Sequence, residues 1–78
     1  MKAFENRIRS LERKISIEKE NLEQAKKCMK RIIEDNRDYE IAQWMPSYQK
    51  SFMDSYTKIK TYEDMIDMIE DMMSEEEE

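Results

Sequence analysis

Histidine and glycine are absent from this chain of 78 residues, and cysteine, proline and tryptophan each occur once. Without histidine the chain lacks the commonest general base and metal ligand, and without glycine it has no phosphate-binding loop. The single cysteine, Cys28, can form neither an intramolecular disulfide nor a CxxC motif. We therefore expect no enzyme activity, no catalytic or cofactor-binding residues, no cofactor and no metal site.

Long apolar runs are also missing, and none approaches the roughly 20 residues that a membrane span needs. The sequence starts Met1-Lys2-Ala3 and runs directly into a charged segment, without the pattern of a signal peptide. A lone helical cysteine is typical of a reducing compartment. We expect a cytoplasmic protein with no membrane partner. The residue usage, rich in Lys, Ile, Asn, Glu and Met, suggests a bacterial or phage-infected cell.

The feature that the chain does contain is a heptad pattern, in a composition that is 42% charged and 38% hydrophobic. From Phe4 to Tyr39 the apolar residues alternate between two coiled-coil positions, a and d, without a slip, which indicates one long helix. The a series is Ile8, Ile15, Leu22, Met29 and Asn36, and the d series is Phe4, Leu11, Glu18, Ala25, Ile32 and Tyr39. Glu18 is the clear polar exception in this stripe.

A second heptad stripe follows in a different register, which predicts a turn rather than one unbroken rod. Its a series is Met45, Phe52, Ile59, Ile66 and Met73, and its d series is Tyr48, Ser55, Tyr62 and Ile69. We predict an all-α fold with helix 1 over about 3–35, a turn at about 36–38 and helix 2 over about 39–73. Pro46 removes a backbone donor, so helix 2 should be kinked or broken there.

The two ends of the chain carry opposite charge, which favours an antiparallel hairpin. Residues 1–37 hold eleven Lys/Arg against seven Asp/Glu (+4), and residues 54–78 hold two against ten (−8). Antiparallel packing places these ends side by side. We predict a single hairpin domain over 1–73 and a flexible acidic tail over 74–78, because carboxylates at a helix C-terminus oppose its dipole.

The eight methionines are the most suggestive candidates for function. Three of them form a row beside the helix 2 stripe and widen its apolar arc beyond what one partner helix covers. Methionine-rich helical surfaces repack easily and recur in promiscuous binding sites. We predict that this row, with two aromatic residues near Pro46, binds a partner protein. The alternatives are that the row is the core of a homodimer and that the two aromatic residues are core packing. The residues are Met65, Met68, Met72, Trp44 and Tyr48.

A second candidate surface is a group of carboxylates predicted on the outer face of helix 2: Asp64, Asp67, Glu70 and Asp71. Such a row could imitate DNA phosphates and block a basic site, or it could simply be a solvated face. We expect no direct nucleic-acid binding, because the basic residues of helix 1 are interleaved with glutamates and lack aromatic neighbours.

These observations lead to one functional hypothesis and two alternatives. The hypothesis is a small acidic interaction module, a regulator or inhibitor that blocks a partner protein through its methionine- and aromatic-rich face. The first alternative is a DNA mimic or basic-site blocker, of the kind that a phage or mobile element would aim at a host nucleic-acid-binding machine. The second is a purely structural coiled-coil oligomer. We also expect a homodimer, and a dimeric four-helix bundle is one form that it could take.

Overall fold

Two long helices make up the fold in a computed structural model, which describes residues 2–35 and 38–77, with side chains as far as Glu75. Helix α1 spans Lys2–Glu34 and helix α2 spans Asp38–Glu77. They pack against each other as a hairpin, so the predicted all-α class and hairpin are confirmed. The molecule is a rod of 60 × 14 × 13 Å. Most of the predicted turn, at 36–37, lies outside the described residues.

Contacts between the helices define their antiparallel alignment. Lys58 Nζ of α2 lies 3.8 Å from a carboxylate oxygen of Glu18 on α1. One turn further along, Lys14 Nζ of α1 lies 5.9 Å from the ring centroid of Tyr62 on α2. The position on α1 falls by four while the position on α2 rises by four. The chain direction is therefore opposite in the two helices, as the opposite charges of their ends suggested.

The interface between the helices follows the two heptad stripes. All described residues of both series are buried or half-buried, with the exception of Tyr39. The most buried apolar side chains are Leu11 and Ala25 on α1 and Ile59 and Ile69 on α2, together with the hydroxyl residue Ser55. Among the described residues no large side chain is completely enclosed. Two helices alone thus give a continuous but thin core.

Glu18 is accommodated at its d position because polar groups surround its carboxylate. Its side chain is only 14% exposed, whereas a glutamate on the surface is usually well exposed to solvent. Asn21 Nδ2 donates a 3.3 Å hydrogen bond to one oxygen, and Lys58 Nζ faces the other. A desolvated carboxylate needs such partners, since burying it without them is costly. Lys58 is thus the neighbour across the interface that makes this polar position tolerable.

The structure corrects two details of the predicted boundaries. Tyr39, assigned to the first stripe, lies in the first turn of α2 and is exposed, because the chain has already turned before it. Helix α2 extends through Glu77, four residues beyond the predicted end at Met73. The predicted flexibility of the acidic tail stays a prediction.

Helix α2 also runs without interruption through Pro46. The predicted break into a short and a long helix is therefore not observed, and residues 39–45 belong to α2. A proline inside a helix loses one backbone hydrogen bond, and the helical turns on both sides can hold the chain helical across it. The predicted kink stays a prediction. Neither helix, as described, has a segment long and apolar enough to cross a membrane.

Candidate functional site

An open apolar groove lies at the end of the rod away from the turn. It has a volume of about 240 Å³ and combines residues from the start of α1 with residues near the end of α2. The lining residues are Phe4, Arg7, Met65, Met68, Ile69 and Met72. All three methionines of the predicted row therefore meet in one groove, together with an aromatic ring that the sequence assigned only to the stripe.

The outer methionines of this groove are exposed to solvent. Met68 is 64% exposed and Met72 is also exposed, whereas Met65 is half-buried. Helix α1 covers the inner edge of the row and leaves its outer edge open. An exposed apolar cluster of this kind in a small chain commonly marks an interaction surface.

Trp44 lies on the same side of α2 as the methionines. Spacings of seven residues keep side chains on one row of a heptad helix, and Trp44 precedes Met65 by three such steps. The side chain is 54% exposed. Two adjacent rows of α2 form what we call the methionine–tryptophan face: Trp44, Ser47, Ser51, Asp54, Lys58, Thr61, Met65, Met68 and Met72. Of these nine residues only Asp54 and Lys58 are charged.

The structure separates the second predicted aromatic residue, Tyr48, from this exposed surface. Tyr48 is half-buried in the interface between the helices, one turn beyond Trp44. It lines a central groove of about 390 Å³ together with Cys28 and Ser55. Tyr48 is thus mainly a packing residue in the interface between the helices. Cys28, which lines the same groove, is also half-buried.

The four predicted carboxylates form a separate surface. Asp64, Asp67, Glu70 and Asp71 are all exposed, and none of them lines the apolar groove. At about 100° per residue, Asp67 and Glu70 lie on the opposite flank of α2 from Met65. Asp64 and Asp71 are each about one turn from Met68 and border its outer edge. Eight of the nine predicted partner-binding residues therefore divide between two exposed surfaces, and the ninth, Tyr48, lies in the interface between the helices.

Further exposed apolar side chains lie outside the predicted set of partner-binding residues. Ile33, Tyr39, Met53 and Tyr56 are exposed on the other edge of the hairpin, and Ile17 is exposed on α1. Ile33 and Tyr56 occupy heptad positions that flank the stripes, whereas Tyr39, Met53 and Ile17 lie further round their helices, so the periodicity alone could have identified only the first two. They are scattered and line none of the described grooves, which distinguishes them from the methionine row.

The described part of the chain offers little to a metal ion. Among these residues no three cysteine or carboxylate side chains form a group that could hold one. The apolar groove at the open end and the central groove are open clefts lined by side chains of both helices. Comparisons with protein-family models, curated proteins and solved structures found no match.

Proposed function

We propose that this chain is a small protein-binding module that regulates or inhibits a partner by covering the partner's functional surface with its methionine–tryptophan face. The observation that carries the proposal is the apolar groove at the open end, with Met68 and Met72 exposed along its outer edge. The exposed Trp44 extends the same face towards the turn.

The chemistry of this face suits a helical partner segment. Methionine side chains are unbranched and polarisable, so they adapt to different apolar surfaces. Tryptophan is enriched among the residues that contribute most to binding energy at protein interfaces. A partner that presents apolar side chains on one face of a helix could lie along the groove, with Arg7 at its rim to pair with an acidic residue.

The surface formed by the carboxylates of Asp64, Asp67, Glu70 and Asp71 supports the second candidate function, a mimic of DNA that blocks a basic site. Its four carboxylates are exposed, and none of them forms an ion pair with a described residue. They occupy eight residues of α2, a length of about 12 Å. A basic partner bound there would be attracted mainly by charge, so its affinity would fall steeply as salt rises.

The test is affinity capture from the cell of origin, followed by affinity measurement with the identified partner. Met68→Gln replaces an exposed apolar side chain with a polar one of similar length. Met53→Gln makes the same change at a matched exposed site on the other edge of the hairpin. We expect Met68→Gln to weaken binding about tenfold or more and Met53→Gln to leave it unchanged.

Salt dependence and a charge-removal variant separate the two candidates. Binding through the methionine–tryptophan face should change little between low and high salt. Amide substitutions at all four carboxylates should then also have little effect. If those substitutions abolish binding while Met68→Gln leaves it intact, the basic-site blocker is correct and the principal proposal is wrong.

A further inference from the structure

The hairpin exposes more surface than a compact protein of its mass. Its accessible surface is 6438 Å² at 9.6 kDa, whereas the usual scaling gives about 5,100 Å² for a folded monomer of that size. The radius of gyration is 17.7 Å, against about 11.5 Å for a compact domain of this length. The excess surface, about 1,300 Å², exceeds the roughly 800 Å² that each partner buries in a standard protein interface.

The rod also has a face of the right size for such an interface. A side of 60 × 14 Å presents about 800 Å² in projection, which matches that requirement. Only four apolar residues of the described chain are buried in the hairpin itself. Covering one whole side would convert a thin two-helix interface into the core of a four-helix bundle.

We infer that a second copy of this chain covers the methionine–tryptophan face, antiparallel to the first, with a two-fold axis near position 56 of α2. In this arrangement α2 packs on α2 of the second copy. The inference rests on the same face as the proposed function and names one protein that occupies it, namely the chain itself.

Trp44 and the methionine groove fix the register of this pairing. A two-fold axis perpendicular to the helices places Trp44 of each copy opposite Met68 of the other when the axis passes position 56. The single tryptophan of each chain then enters the apolar groove of its partner copy, twice in the dimer. Interfaces with two-fold symmetry require such self-complementarity.

The polar residues near the axis also pair in the same register. Asp54 lies opposite Lys58 of the second copy, so the two charges of the face meet with opposite sign at the centre. Ser51 lies opposite Thr61, two small polar side chains that allow close approach. The face thus has complementary polar contacts around the axis and a Trp44–Met68 contact towards each end, where Met65 lies opposite Ser47 and Met72 opposite Glu40.

A shift of one heptad in either direction destroys this match. Moving the axis one way places Trp44 opposite Thr61, and moving it the other way places Trp44 opposite Glu75. The second shift also sets Asp54 against Met65. Each alternative register pairs the large aromatic side chain with a polar one and loses the charge pair, so one register is favoured.

The arrangement has a consequence for the proposed function. A target protein would have to displace the second copy, because both use the same face. The monomer, which predominates at low protein concentration, would be the form that binds the target. The dimer would be an inactive store of the chain.

The register is tested by cysteine crosslinking in the full chain with Cys28→Ser. The double variant Ser51→Cys, Thr61→Cys places each new thiol opposite its counterpart in the second copy. Within one chain the two positions are ten residues apart, about 15 Å along the helix, which is too far for a disulfide. We expect oxidation to give a covalent dimer of twice 9.6 kDa. Each single variant places its like thiols about 15 Å apart and should stay uncrosslinked.

Light scattering on the purified chain measures the association itself. We expect the wild-type chain to be a dimer. Met68→Gln should weaken the dimerisation affinity about tenfold or more, and Met53→Gln should leave it unchanged. Circular dichroism verifies that both variants stay helical. A wild-type monomer at high concentration would overturn the inference without touching the proposed function, because target binding is measured separately. Crosslinking of the single variants in preference to the double one would also overturn it.

Discussion

Truncating Ile59 to alanine should destabilise the hairpin severely. Ile59 is 8% exposed and lies on the stripe of α2 close to the Glu18–Lys58 ion pair. Removing its outer atoms from a core that cannot collapse fully costs about 2–3 kcal/mol, the lower part of the range for such changes. A chain of this length has a total stability of about 4–12 kcal/mol. The loss is therefore about one sixth to three quarters of the total unfolding free energy.

Thermal unfolding followed by circular dichroism gives the measurement. One kcal/mol shifts the melting temperature of a small domain by about 4–8 °C, so Ile59→Ala should melt about 8–24 °C lower. Ile33→Ala is the matched control, because Ile33 is 58% exposed and loses the same atoms. It should change stability by less than about 0.5 kcal/mol. Both variants are compared at one protein concentration, since association would raise the melting temperature. Equal losses in the two variants would refute the buried stripe.

Three further changes probe the interface and the helices. Glu18→Leu should raise the unfolding free energy by about 1–2 kcal/mol, because an apolar side chain is more stable at a stripe position than a desolvated carboxylate. Glu20→Leu, at an exposed site, should not raise it. Pro46→Ala should stabilise α2 by about 1–3 kcal/mol by restoring a helical hydrogen bond, and an unchanged melting curve would contradict this. With the native cysteine replaced by serine, cysteines at Glu12 and Glu63, which line one groove, should crosslink within a single chain. Exclusively intermolecular crosslinks would contradict the antiparallel hairpin.

The interface between the helices could be predicted from the sequence because helical geometry repeats. Residues spaced by seven must lie on one side of a helix, so the stripe that contains Leu11 and Ala25 was identifiable without coordinates. The opposite charge of the two ends also indicated how the arms align. Glu18 could be recognised as a polar exception, but its neighbour Lys58 could not. Which residues face each other depends on how far one helix slides along the other, and packing alone determines that.

Expectations from single residues failed where the adjoining turns of α2 kept the chain helical. Proline disfavours helix, yet α2 passes through Pro46 because well-formed turns flank it on both sides. Acidic residues oppose the dipole at a helix C-terminus, yet α2 continues to Glu77, since glutamate is itself a good helix former. That Trp44 and Met68 share a face could be deduced only from the continuity of α2. A break at Pro46 would have rotated the segment that contains Trp44 relative to the rest of the helix.

The central claim is that another protein covers the methionine–tryptophan face, and methionine footprinting tests it most directly. Met68 and Met53 have similar exposure in the isolated hairpin, 64% and 55%, on different edges. Mild peroxide oxidises exposed methionines to the sulfoxide, which mass spectrometry quantifies residue by residue. In a dilute purified sample the two should oxidise at similar rates. In the cell of origin, or in the concentrated purified chain, Met68 should be protected several-fold while Met53 continues to oxidise. Equal oxidation of both residues under all these conditions would contradict the claim.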